Sequence, residues 1–256
     1  MAQNFETWLK NLPPITQYVL GIAVLLTVIS SFEVIDIERL LLTQKVITRM
    51  ELWRPFTSAF FLGKFSFNWP FSLAILVMYS NYNEKFDYDG KSGDYLWMWL
   101  FMITAVTVLG LLIPLYITSS ALMMGLCWVF CKRHPEMRMT LFVFEFRANT
   151  FPWVLLVFHV IMGGGFVEDI VGIIIGHLYY FVKDILPETQ GVQLLQTPAW
   201  FLRYVMPNNN NNAAGPRVWT SGGYRPMQTT MGGNTAAAST SASHHQWGKG
   251  RTLGSS

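Results

Sequence analysis

Six apolar runs, at 15–32, 67–80, 95–113, 119–132, 151–163 and 170–183, hold most of the hydrophobic residues of this chain, and the charge lies between them. Hydrophobic residues fill 52% of the 256 positions and charged ones 13%, a balance outside the soluble range. Mean hydropathy is +0.32 in spite of a polar C-terminal segment. The pattern predicts an all-α polytopic membrane protein with six transmembrane helices. Aromatic residues at 15%, ten of them Trp, suit a chain that places indole rings at two water boundaries. A net charge of +3 is too small to argue for a nucleic-acid partner.

An even number of spans puts both termini on one side. The N-terminus, the 81–94 and 132–150 connections and the tail carry most of the Lys and Arg, whereas the connections after spans three and five carry none. The positive-inside bias makes the basic side cytosolic. Arg39, Lys45, Arg49, Arg54 and Lys64 in the 33–66 connection run against that bias on the far side. Spans two, five and six supply roughly 13 or 14 apolar residues where about 20 are needed, so either they thin the bilayer or their ends lie further out.

At the start, NFETWLKNLPP lacks a basic n-region and a small-residue cleavage site, so the start is expected to be retained. Phe5, Trp8, Leu9 and Leu12 share a helix face, with Asn4 as cap and Pro13-Pro14 as stop. Residues 1–14 are therefore expected to form an interfacial helix. The far-side connection mixes apolar pairs with charges and reads as a membrane-embedded loop. Within it Trp53 would set depth, while Arg54 would bond loop carbonyls or lipid phosphates.

The last run contains GIIIGHLYYFVKD. Gly172 and Gly176 share a helix face and would let span four approach closely. His177, next to the second glycine, is either a base inside the membrane or a polar tip hydrogen-bonded to a neighbouring helix or water. His159 reads as packing. Cys127 and Cys131 stand one helical turn apart, and with His134 they lack an evident fourth ligand, so neither a disulfide scaffold nor a metal site is expected, and no cofactor. GKSG at 90–93 reads as turn chemistry in a charged loop.

LPPIT, WRPFTSAFF, DYLWMWLF, KRHPEMRMTLF, FPWVLL and GIIIGHLYYFVKDILPETQG keep order over residues 1–203, and together they resemble the Derlin family of the rhomboid-like superfamily. The resemblance implies a rhomboid-like domain over 15–203 in the endoplasmic reticulum membrane. It further implies a role in returning misfolded proteins to the cytosol for ubiquitin-dependent degradation, alongside a ubiquitin-ligase complex. Active rhomboids cleave peptides with a serine and a histidine. Their serine sits in a Gly-x-Ser-Gly motif opening span four, where this chain reads YITSSALMMG. Ser119 and Ser120 there lack flanking glycines. The catalytic histidine stands three residues before the first glycine of the last span, a place that Asp169 takes here. His177 lies eight residues further on, roughly 12 Å along a helix. The expected reading is a pseudoprotease, with an active intramembrane serine protease and a six-span transporter as alternatives.

Beyond Met206 the chain turns to Asn, Gly, Ser, Thr and Ala, a composition that predicts a disordered tail over 204–256. Near its end, Trp247, Gly248, Gly250 and Leu253 resemble the SHP box, by which Derlins recruit the AAA ATPase valosin-containing protein. Two apolar anchors spaced by glycines fit a strand pressed on a sheet edge. Clients, lipids and the question of a homo-oligomer complete the expected partners.

Overall fold

The computed structural model describes residues 2–141, 144–191, 194–205, 217–220 and 223–226. Helix α1, Ala2–Lys10, begins ahead of Asn4, so that residue lies inside the helix and does not cap it. Pro13 then precedes helix α2, Pro14–Ser31, whose first position is proline, where a missing N–H costs nothing. The 33–66 connection, loop 1, folds into three short helices, α3 Ile37–Leu40, α4 Lys45–Thr48 and α5 Arg54–Phe60.

Helix α6, Trp69–Tyr82, runs on through a π-helical turn at Asn83–Asp87. Helices α7, Ser92–Leu112, and α8, Ser119–Arg133, follow. Strands β1, Arg138–Leu141, and β2, Phe144–Arg147, pair antiparallel with Met139 opposite Phe146, so the chain is not all-α. Helix α9, Phe151–Ile161, leads by a glycine turn to α10, Phe166–Tyr180. The latter continues through a π turn, Phe181–Ile185, into α11, Leu186–Gln190. Helix α12, Ala199–Val205, docks on α7 through Phe201 against Trp97, ring centroids 5.2 Å apart. Inside the stretch expected to be disordered, strands β3, Arg217–Thr220, and β4, Gly223–Pro226, form a second antiparallel pair.

Pro14–Ser31, Ser92–Leu112 and Phe166–Gln190 are long and apolar enough to cross a membrane. The helix running on from Phe166 to Gln190 corrects the sequence reading of span six as short, whereas α6, with 14 residues, is not among these three. Beyond α6 the backbone stays helical because Asn83, Glu84 and Asp87 find buried partners. Helix α9 does stay short, since its 11 residues reach roughly 16 Å against about 30 Å of hydrocarbon.

Helix α8 is the axis of the bundle. Every residue from Ala121 to Cys131 is buried, against α6, α7, α9 and α10. The outer faces carry Tyr18, Leu25, Val108, Leu112, Val157 and Ile161, all exposed. An apolar belt of this kind is stable only where hydrocarbon covers it.

One polar device fastens α2 to the bundle. The Glu84 carboxylate accepts from the backbone N–H of Ile15 at 3.0 Å and of Thr16 at 2.8 Å, and from the Thr16 hydroxyl at 2.8 Å. Pro13 offers no side-chain cap, so a residue 69 positions away satisfies the orphan donors of the first turn. Ser80 extends the bonding to Thr16 and to Tyr95, tying α2, α6 and α7 together at one end.

Candidate functional site

Helices α8 and α10 meet backbone to backbone. A Cβ on Gly172 would run into the Ala121 carbonyl, and one on Gly176 would stand 2.7 Å from the Gly125 oxygen. A Cβ on Gly125 would in turn lie 3.2 Å from the Gly172 oxygen. Contact thus requires glycine at 172 and 176, and leaves little room at 125. His177, one step round α10, is exposed and packs edge-on to Trp128 with ring centroids 6.0 Å apart. The imidazole faces outward beside this ring contact, because the step of about 100° carries it off the seam.

Near the start of α10, Asp169 forms with His159 of α9 a pair that sequence reasoning missed. His159 Nδ1 lies 2.9 and 2.8 Å from the two Asp169 oxygens, and Asp169 is 1% exposed. The packing role expected for His159 is therefore corrected: it neutralises or bonds a buried carboxylate that has few other partners. The glycine turn makes this contact. Gly163 takes φ of 86°, and a Cβ on Gly164 would strike the imidazole ring. A histidine and an aspartate flanking Gly-Gly-Gly between two apolar helices was the available signal.

Around this pair lies a small crevice lined by Asn68, Ser72, Ser120, Phe158, His159 and Asp169. Phe158 of α9 faces Phe71 of α6 edge-on, centroids 6.5 Å apart, so an aromatic pair bridges the two helices beside the polar groups. Ser119 is not in the crevice, because its hydroxyl donates to the Phe61 carbonyl at 2.8 Å. The Glu168 carboxylate is within hydrogen-bonding reach of Ser120. Among the described residues no hydrogen bond joins Ser120 to His159.

Arg54 is buried under loop 1. It donates to Glu51, to the Glu38 carbonyl at 2.5 Å and to the Leu41 carbonyl at 3.0 Å, which ties α3 to the first turn of α5. Trp53 is 56% exposed beside it.

A second buried charge cluster closes the opposite end. Arg133 meets Asp184 with two nitrogens, at 2.9 and 3.2 Å, and Asp87 at 3.2 Å, while the His134 ring bonds Asp87 at 2.8 Å. Tyr88 takes a bond from Arg133 at 3.0 Å and shares another with Tyr179 at 2.9 Å. Burial pushes the Tyr88 hydroxyl up to about 12, against the pull of Arg133, so the phenol stays neutral at physiological pH. Neither this cluster nor the Glu84 cap was foreseen from sequence.

Cys127 and Cys131 are buried with sulfurs 3.9 Å apart. Among the described residues no group of three or more His, Cys, Asp or Glu could hold a metal ion. The 90–93 stretch is a turn into α7, with Gly90 at φ of 68° and Gly93 beneath Leu202. Trp247, Gly248, Gly250 and Leu253 lie outside the described residues.

The profile of the Der1-like family matches residues 12–199. The chain belongs to the Der1-like family. Among its relatives, Derlin-2.1 of Zea mays is 32% identical over 230 residues, covering 84% of this chain and 92% of the relative. Derlin-2 of Oryza sativa subsp. japonica shows the same identity and coverage. A probable derlin-2 homolog of Dictyostelium discoideum is 32% identical over 216 residues, 80% of this chain and 84% of its own. The Der1-like match takes in loop 1, the crevice and the Arg133 cluster, and it ends at the first residue of α12.

Proposed function

We propose that this Der1-like protein is a non-catalytic component of endoplasmic-reticulum-associated degradation. Six spans in a rhomboid-like arrangement lie in the endoplasmic reticulum membrane with both termini cytosolic. The protein binds misfolded clients, locally thins the bilayer and aids their passage to the cytosol, in company with a ubiquitin ligase. Trp247 and Leu253 of its tail recruit the AAA ATPase valosin-containing protein.

The observation that carries the reading is the polar crevice at Ser72, Ser120, His159 and Asp169, beside the Phe71 and Phe158 bridge between α6 and α9. Hydrogen-bonding groups at a boundary between two helices give polar backbone and side chains of a client partners that lipid lacks. The short α9 supports thinning on the same side of the bundle. A photocrosslinker at Ile75 or Leu155 in cells should capture a misfolded client, and Trp247→Ala should sharply reduce co-purified ATPase. Capture equal to that from a crosslinker at Val108, on the outer face of α7, would remove the client role from the crevice.

One observation favours a second reading, intramembrane hydrolysis, because Ser120, His159 and Asp169 line one crevice. Against it stand the missing Ser120 to His159 hydrogen bond, the Glu168 contact and the lack of glycines that admit a substrate backbone. A stoichiometric fluorophosphonate adduct at Ser120, found by mass spectrometry, would establish the hydrolase; no adduct is expected.

A further inference from the structure

Loop 1 encloses a cavity of about 930 Å³ lined by charged residues from α3, α4 and the turns around them. Pairing accounts for most of that charge. Arg54 is matched to Glu51, Arg39 to Asp36 at 3.8 Å and Lys64 to Glu33 at 3.7 Å. Lys45 and Arg49 both line the cavity and are exposed, yet no carboxylate lies within 4.0 Å of either among the described residues. They stand one helical turn apart, at the start and just past the end of α4.

The depth of this pair is set by its neighbours. Ile47, Met50, Leu52, Trp53 and Phe56 are 48–73% exposed and follow one another along the same segment. So dense an apolar surface requires hydrocarbon cover, and Trp53 belongs at the level where acyl chains meet headgroups. Met50 takes φ of 54°, a left-handed turn that reverses the chain directly between the basic pair and the apolar stretch. The two unmatched cations therefore sit where the commonest anion is a lipid phosphate.

We infer that Lys45 and Arg49 hold the phosphodiester group of a glycerophospholipid whose acyl chains lie along Ile47, Leu52 and Phe56. Arg49 supplies planar paired donors and Lys45 a point charge, an arrangement suited to a non-bridging phosphate oxygen pair. Arg54 takes no part, since its donors are spent on Glu51 and two carbonyls. Glu38, which no ion pair matches, lines the same cavity and opposes an anion there. The inference rests on the membrane placement of loop 1 in the proposed function, and not on the degradation role, so the crosslinking and ATPase tests fail independently of it.

The test is native mass spectrometry of the full-length protein in detergent, titrated with dioleoylphosphatidylcholine, with dioleoylglycerol, or with inorganic phosphate. Phosphatidylcholine should be retained, dioleoylglycerol should not, and inorganic phosphate should compete only weakly. Lys45→Gln with Arg49→Gln should weaken phosphatidylcholine retention by about tenfold, as for the loss of two interfacial cations. Glu38→Gln should strengthen it, which keeps the inference testable if the double variant is unstable. Equal retention of dioleoylglycerol, competition by inorganic phosphate at lipid concentration, or retention unmoved by all three substitutions would overturn the site.

Discussion

Replacing Glu84 by Ala should loosen α2 from the bundle more than the loss of an ordinary cap would. The carboxylate serves two backbone donors at 3.0 and 2.8 Å and one hydroxyl at 2.8 Å, in a place 4% exposed. Thr16 keeps its bond to Ser80, so two buried N–H groups are left without acceptors. At about 1–3 kcal/mol for each unsatisfied donor, and less where water enters the space vacated, the loss should be about 2–4 kcal/mol. Loss of an exposed cap costs about 1 kcal/mol. Glu84→Gln retains one acceptor oxygen and should fall between alanine and the unaltered chain. Unfolding of the full-length protein in mixed micelles with rising dodecyl sulfate, followed by tryptophan emission, gives the ranking. Amide exchange at Ile15 and Thr16 locates it. A Glu84→Ala midpoint equal to that of Glu6→Ala, an exposed control, would refute the capping account, as would faster exchange that spares both amides.

Further substitutions probe the remaining contacts. Gly176→Leu should cost about 1–3 kcal/mol or more by forcing α8 and α10 apart, with Gly172→Leu at least as severe, as read by the same unfolding assay. Arg54→Gln leaves Glu51 and two carbonyls unmatched and should open loop 1 to protease added on its side at lower concentration than Arg39→Gln does. Arg133→Ala strips Asp87 and Asp184 of their shared cation and should destabilise by about 3–5 kcal/mol, while Arg138→Ala in the exposed hairpin pair should leave the midpoint near that of the unaltered chain. Gly164→Ala should displace the His159 ring and change the imidazole's titration by nuclear magnetic resonance, with α9 and α10 still folded.

Hydropathy located α2, α6, α7, α8, α9 and α10, three of which reach spanning length, because burial in lipid selects apolar residues on every face and leaves a signal in one dimension. It could not find their ends. Residues 83–87 and 181–185 stay helical through π turns, where Glu84 caps α2 and Asp184 meets Arg133, partners 51–69 positions distant. The α8 and α10 seam was legible because glycines four apart report close approach whatever the partner. The His159 bond was hidden by its dependence on turn geometry, since an aspartate ten residues on reaches the ring only if Gly163 reverses the chain. The hairpin had a signal that went unread: Met139 and Leu141, then Phe144 and Phe146, alternate with polar residues at period two.

The distribution of satisfied and unsatisfied polar groups also separates a conduit at the bundle's side from one through its middle. A transporter of six spans would carry polar or broken helix segments around a central site near mid-membrane. Here the middle is filled: α8 is buried from Ala121 to Cys131, and its backbone touches that of α10 at Gly125 and Gly172. The Arg133, Asp87 and Asp184 cluster spends its charges on itself at one end, and the Glu84 cap does the same beside it. The crevice at Ser72 and Ser120 sets further polar groups at the flank of the bundle, near the Asn68 end of α6 and the short α9. Two ring pairs, Phe71 with Phe158 and Tyr79 with Phe151, join α6 to α9, each worth about 1 kcal/mol beyond its buried area, whereas α8 and α10 meet backbone to backbone. The polar groups of the crevice thus lie at the flank of the bundle, while its middle is filled by α8.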